Sequence, residues 1–291
     1  MTDTRVRRTI MITPGHLAPR LAKAVTLDVD AVAFDIEDGV PPNEKAAARK
    51  TIAEALAALN FGGRERIVRV NAVDTDQLTL DIAGLPLDRI DTLFVPKVAR
   101  AEEVHTLDAM LRDAGQPDLP TILTIETAEG LFNVKDIAAA SDRAVALFFG
   151  SGDYAAETGC RITPETLLTP RALIAAAAGM AGLQAIDAAY FLDVKNEEET
   201  RRDAEIARDF GFCGKLIFHP NQIAVSNAVF TPTPTDVARA EKIIGAYEAA
   251  TARGEGTAVV DGEFIAVDML PPARRVLTVA RHAGITADTK Q

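Results

Sequence analysis

The sequence predicts a closed (β/α)8 barrel followed by a short C-terminal extension. Three observations lead there. Short apolar runs alternate with helical patterns for most of the chain, and eight such pairs can be read off before the pattern breaks. The length of 291 residues suits a barrel folding as one unit. Polar residues recur where the apolar runs end, as they do at a barrel mouth. A doubly wound sheet would give a similar alternation, but eight units favour closure.

The strands are read in order as "TIMIT" (9–13), "AVAFDI" (31–36), "RIVRV" (66–70), "TLFVPK" (92–97), "TILTIE" (121–126), "VALFFG" (145–150), "QAIDA" (184–188) and "KLIFH" (215–219). The seventh carries the weakest signal, being short and flanked by alanines. Between them, Ile52, Leu56 and Leu59 recur at helical spacing within 43–59, and a helix over 201–210 stops at Gly211. A helix near 235–250 puts Val237, Ala240, Ile244 and Tyr247 on one face. The glycine-containing break "TARGEGTA" (251–258) follows, and the remaining tail reads as a hairpin plus a helix. This gives a barrel domain over 1–250 and an extension over 251–291, placed over the barrel mouth or against a neighbouring subunit.

Composition narrows the function. Apolar residues at 48% and charged residues at 25% describe an ordinary soluble globular chain. The net charge of -11 argues against nucleic acid as a partner. The longest nonpolar run, "LIAAAAGMAGL" (173–183), is too short and too rich in alanine to span a bilayer. The apolar stretch after the basic start is too short for a secretory signal. Cys160 and Cys213 lie far apart with no CxxC pair, which fits a reducing cytosol and gives no zinc site. The expectation is a cytoplasmic protein without nucleic-acid or membrane partners.

The strand ends carry Pro14 and Gly15, then Asp35, Glu37 and Asp38, then Arg69 and Asn71. Lys97, Glu126, Asp153, His219 and Asn221 follow at the later ends. Glu126 and Asp153 come from adjacent strands, and two neighbouring carboxylates repel unless a cation separates them. Hard oxygen ligands completed by water suit Mg²⁺. Each acid alone could instead serve a helix N-terminus or pair with Arg69 or Lys97, and spacing does not choose between Glu126 and Glu129. Arg69 is read either as an edge ion pair or as the group that holds a carbonyl oxygen becoming negative. "GSGDYAAETG" (150–159) has no GxGxxG and no following Lys-Ser/Thr, so it is no P-loop. Among the histidines, His105 and His282 fall on helices, His16 could reach a ligand phosphate, and His219 in "FHPNQ" reads as a structural hydrogen-bonder.

Several stretches recur together in one known order: "RRTIMITPG" (7–15), "FDIEDGV" (34–40) with "KAAAR" (45–49), "VRVN" (68–71) and "VPK" (95–97). "IETAEG" (125–130), "GSGDYAAETG" (150–159), "GFCGKLIFHPNQI" (211–223) and "DGEFIAVDMLPPA" (261–273) complete the set. With them the chain resembles the citrate lyase β-subunit-like proteins of the HpcH/HpaI aldolase superfamily. Each motif alone is weak, and the ordered set is specific. The resemblance implies a TIM barrel with Mg²⁺ or Mn²⁺, assembled as a homotrimer or hexamer. It implies cleavage of a malyl-, citramalyl- or citryl-CoA type thioester into a 2-oxo acid and an acyl-CoA by retro-Claisen chemistry.

Carried over by motif, Glu126 and Asp153 would be the metal ligands and Arg69 would face the thioester carbonyl. Glu37 and Asp38 would order metal-bound water and Arg69, and Asp268 would be the acid/base. Arg8, Pro14, Gly15 and Lys97 would contact the CoA thioester. Two alternatives stay open: a malyl-CoA thioesterase or malate synthase-like enzyme, and a subunit that works only on an acyl carrier within a citrate lyase-type complex.

Overall fold

Eight parallel strands close into a barrel in the computed structural model, which describes residues 5–287. They are β1 (Thr9–Pro14), β2 (Ala31–Asp35), β3 (Glu65–Arg69), β4 (Thr92–Val95), β5 (Thr121–Ile125), β6 (Ala144–Phe149), β7 (Gln184–Ala188) and β8 (Gly214–Ile217). Each pairs with its successor, and β8 returns to β1 with Ile10 opposite Leu216. The weak seventh run is a full member, with Ile186 opposite Gly214. The expected architecture is therefore the observed one.

Alternate residues of each strand fill the interior. Ile10, Ile12, Ala31, Ala33, Ile67, Phe94, Ile122, Phe148, Ile186 and Leu216 form one buried cluster. A strand repeats every two residues, so these positions share the inner wall. The rings of Phe94 and Phe148 meet edge-on at 5.0 Å and fill the centre. The same alternation carries Asp35 and Arg69, two positions beyond Ala33 and Ile67, to the inner side of the mouth.

The opposite end is plugged by charge. Arg7 is fully buried and donates from Nε and Nη2 to the two carboxylate oxygens of Glu65, both at 2.7 Å. Thr92 donates its hydroxyl to the same carboxylate, and Arg7 also reaches Gln184. Removing one partner of a buried pair strands the other in a medium that solvates it poorly. Glu65→Ala is accordingly expected to lower unfolding free energy by about 3–5 kcal/mol. Denaturant titration measures it, and a loss below about 1 kcal/mol, the scale of an exposed pair, would contradict the account.

The described chain forms two compact units, one from Arg7 to Ala228 and one from Val229 onward. In the second, a helix (Pro234–Ala252) precedes a hairpin of β9 (Ala258–Val260) and β10 (Glu263–Ile265), and a helix (Leu270–Ala283) closes the fold. Ala240, Ile243, Ile265, Leu270 and Ala273 make its core. The helix assigned to the barrel domain by the boundary at 250 thus shares its core with the hairpin and final helix, which moves the division towards residue 229. Among the described residues, no helix is long and apolar enough to cross a membrane.

Candidate active site

Asp35 and Arg69 end neighbouring strands and stand opposite each other in register. Arg69 donates from Nε to Asp35 Oδ1 at 2.7 Å and from Nη2 to Oδ2 at 2.8 Å, a two-pronged grip that fixes the guanidinium plane. The backbone N–H groups of Glu37 and Gly39 donate to the same carboxylate at 2.9 and 3.0 Å, so the chain leaving β2 curls around Asp35. A Cβ at Gly39 would lie 2.2 Å from Asp35 Oδ2, and only glycine fits there. The curl turns Glu37 towards Arg69 Nη1, 3.2 Å away, and towards the Lys97 ammonium. Lys97 also donates to Asp38 Oδ2 at 2.7 Å.

Lys97 adopts a left-handed backbone, with φ of 54°. Its N–H donates to Glu126 Oε1 at 2.8 Å. Glu126 follows β5 directly and is buried. On its other side, a Cβ at Gly150 would come within 2.4 Å of Glu126 Oε2, so the glycine after β6 makes room for the carboxylate. Asp153 lies in the first turn of the helix Ser151–Thr158 and is exposed, past the strand end expected for it.

Burial pushes the Glu126 carboxyl up to about 8, and the nearby Asp153 charge adds to this. The Lys97 N–H and Arg69 pull it back only in part. Burial works against the charge of Arg69, but Asp35, Glu37 and Glu126 outweigh it and hold the guanidinium more firmly protonated than usual. Lys97 is raised as well, burial being overcome by Asp38 and Glu37.

The donor set suits a hard divalent cation. Asp35, Glu37 and Asp38 pair with Arg69 and Lys97, and Glu126 lies near Arg69 with the Asp153 charge beside it. Among the described residues, no group of three or more His, Cys, Asp or Glu is placed to hold a metal. Two carboxylates completed by water and substrate oxygens are a usual way to hold Mg²⁺.

The family profile described as HpcH/HpaI aldolase/citrate lyase matches residues 8–220. The chain belongs to this family. It is 37% identical over 275 residues to a (3S)-malyl-CoA thioesterase of Cereibacter sphaeroides, covering 94% of each chain. It is 32% identical over 303 residues to the L-malyl-CoA/beta-methylmalyl-CoA lyase of the same species, covering 95% of each. A solved structure of CitE from Mycobacterium tuberculosis, in complex with magnesium, acetoacetate and coenzyme A, matches with a TM-score of 0.73 at 26% identity. That match covers 97% of this chain and 100% of the other.

In this HpcH/HpaI family member the expected site residues of the barrel gather at its mouth, with one exception. Pro14 pairs with Asp35, and Gly15 donates its N–H to the Asp35 carbonyl at 2.8 Å, so both belong to the mouth. Arg8 does not, and its assignment to the thioester is corrected. It precedes β1 at the opposite end of the barrel, where Nε and Nη2 hold Asp30 at 2.9 and 2.7 Å. Asp268 lies in the second unit, exposed, in the 3-10 turn Val267–Met269. Glu129 sits in the first turn of the helix Ala128–Phe132 and pairs with Arg100 at 2.6 Å. His219 accepts from the Asn221 N–H in the proline turn, as expected.

Two features escaped the sequence reading. Asp35 was visible as a strand-end acid, but its grip on Arg69 depends on register. Phe218, two positions beyond the inward-facing Leu216, meets Phe191 at 6.3 Å, and a Cβ at Gly152 would lie 3.4 Å from the Phe191 ring. An aromatic wall therefore borders the turn carrying Asp153. Period-two counting from the core of β8 would have found Phe218.

Proposed function

We propose that the chain is a Mg²⁺-dependent carbon–carbon lyase. It would cleave a 3-hydroxyacyl-CoA thioester of the malyl-, citramalyl- or citryl-CoA type into a 2-oxo acid and an acyl-CoA. The observation that carries this is the Arg69 fork, fixed by Asp35, beside the buried Glu126 and its neighbour Asp153. Held by these two acids, Mg²⁺ would supply Lewis-acid stabilisation of the substrate oxygens.

Arg69 directs three of its five N–H groups towards Asp35 and Glu37, leaving the others for a substrate oxygen. As the bond between C2 and C3 breaks, the 3-hydroxyl gives its proton to water and becomes the carbonyl of the 2-oxo acid. The electron pair moves into the thioester, whose enolate oxygen Arg69 stabilises. Asp268, assigned on its motif, then relays a proton taken up from water to the enolate carbon. Glu37 holds Arg69 and Lys97 in place throughout. A cytosolic homotrimer or hexamer accompanies this reading.

The thioesterase among the relatives favours hydrolysis as a second reading. Malyl-CoA with Mg²⁺ separates the two by product mass. A lyase yields glyoxylate and acetyl-CoA, and a thioesterase yields malate and free CoA. The expected products are the first pair, and silence on all free thioesters would point to a carrier-bound substrate instead. In the same assay Asp268→Asn should lower kcat by about 100-fold or more. Wild-type turnover in that variant would remove Asp268 from the mechanism.

A further inference from the structure

Lys45 and Arg49 bound the "KAAAR" motif, and the chemistry above gives neither a role. They lie four residues apart, on one face of the helix Lys45–Ala58. The Lys45 ammonium donates to the carbonyl oxygens of Ile36 and Glu37 at 3.0 and 3.3 Å, and to the Asn71 side-chain oxygen. All three acceptors are neutral. The first two bracket Glu37 itself.

Asn71 is oriented from behind. Its backbone N–H and its Nδ2 both donate to Asp81 Oδ2, at 2.8 and 2.7 Å. A carboxylate only accepts, so the amide must turn its NH2 to Asp81 and its oxygen to Lys45. Arg49 closes the relay, donating from Nε to Asp81 Oδ1 at 2.6 Å and from Nη2 to Gln77. Asp81 and Asn71 are buried, and every polar contact in this run is met.

We propose that Lys45 is a positioning residue that fixes the backbone at 36–37 and thereby aims Glu37 at Arg69 and Lys97, with Asn71, Asp81 and Arg49 fixing Lys45. The inference rests on the lyase reading of the Glu37–Arg69 site. A fold-stabilising lysine would change melting temperature and leave the turnover of folded enzyme intact. A positioning lysine does the reverse, because small misplacements at a reacting centre cost up to about 100-fold in rate.

The test is Lys45→Met in the full chain, read by thioester turnover, thermal melting and amide hydrogen exchange. Expected are a kcat lower by about 10- to 100-fold, a KM changed less than about threefold, and faster exchange over residues 36–40. A melting shift of only a few degrees is expected alongside. Unchanged kcat, or a large melting shift with normal turnover of the folded fraction, overturns the proposal. If Lys45→Met does not fold, Asn71→Ser takes its place under the same criteria. If wild-type protein cleaves no thioester, free or carrier-bound, the lyase reading fails. Exchange over 36–40 then decides the positioning claim alone: faster exchange in the variant supports it, and unchanged exchange overturns it.

Discussion

Glu126→Gln is expected to lower Mg²⁺-dependent kcat/KM by on the order of 1000-fold, equivalent to about 4 kcal/mol of lost transition-state stabilisation. Glutamine keeps the shape and can still accept the Lys97 N–H, so the change isolates the charge. The pH dependence of the wild type makes the test sharper. Glu126 is pushed up to about 8 by burial and by Asp153, so below that pH the metal-free site holds a proton that a cation must expel. The Mg²⁺ association constant should therefore rise about tenfold per pH unit up to about pH 8, then level off. Stability follows with its sign. A carboxyl raised in the fold from 4.5 contributes stability that is fully present below that value and is lost as pH rises through about 8. Mg²⁺ should thus raise the melting temperature more at pH 8 than at pH 6. Both trends should vanish in Glu126→Gln. Calorimetry giving one Mg²⁺ affinity from pH 6 to 8 in the wild type would refute the assignment.

The barrel was legible because its signal is local. Each strand is a short apolar run, and every strand end fell within two residues of expectation, the largest differences being at β4 and β8, where the chain leaves the sheet early. Lys97 shows why: read as the end of a strand, it takes a left-handed conformation after Val95 that aims its N–H at Glu126. Arg8 failed for the converse reason. It is close in sequence to Pro14, but it precedes β1 and Pro14 ends it, and six residues at about 3.3 Å each place them at opposite ends of the barrel. The Lys45 relay was invisible because its contacts join residues 26 and 10 positions apart, and the grip on Asp35 spans 34. Such contacts follow from closure of the barrel. Composition and spacing do not contain them.

Arg69→Lys should leave a folded protein with kcat lower by about 100- to 1000-fold, the scale of losing one donor aimed at a developing oxyanion. Lysine keeps the charge but cannot hold both Asp35 oxygens while offering further N–H groups to the substrate. Asp35 would keep the Glu37 and Gly39 N–H groups, so the curl after β2 should survive. Arg69→Met differs in kind, because it strands the Asp35 carboxylate, which is 2% exposed, without a cation. Breaking a buried pair that way costs about 3–5 kcal/mol of stability. The two variants separate the roles of the residue. If Arg69 only balances Asp35, lysine should restore most of the activity that methionine loses, and kcat should track melting temperature. If the planar guanidinium carries the enolate charge, both variants should be comparably slow while only methionine melts early. The second pattern is expected, since the fork fixes the plane of the remaining N–H groups and an ammonium has no plane to fix.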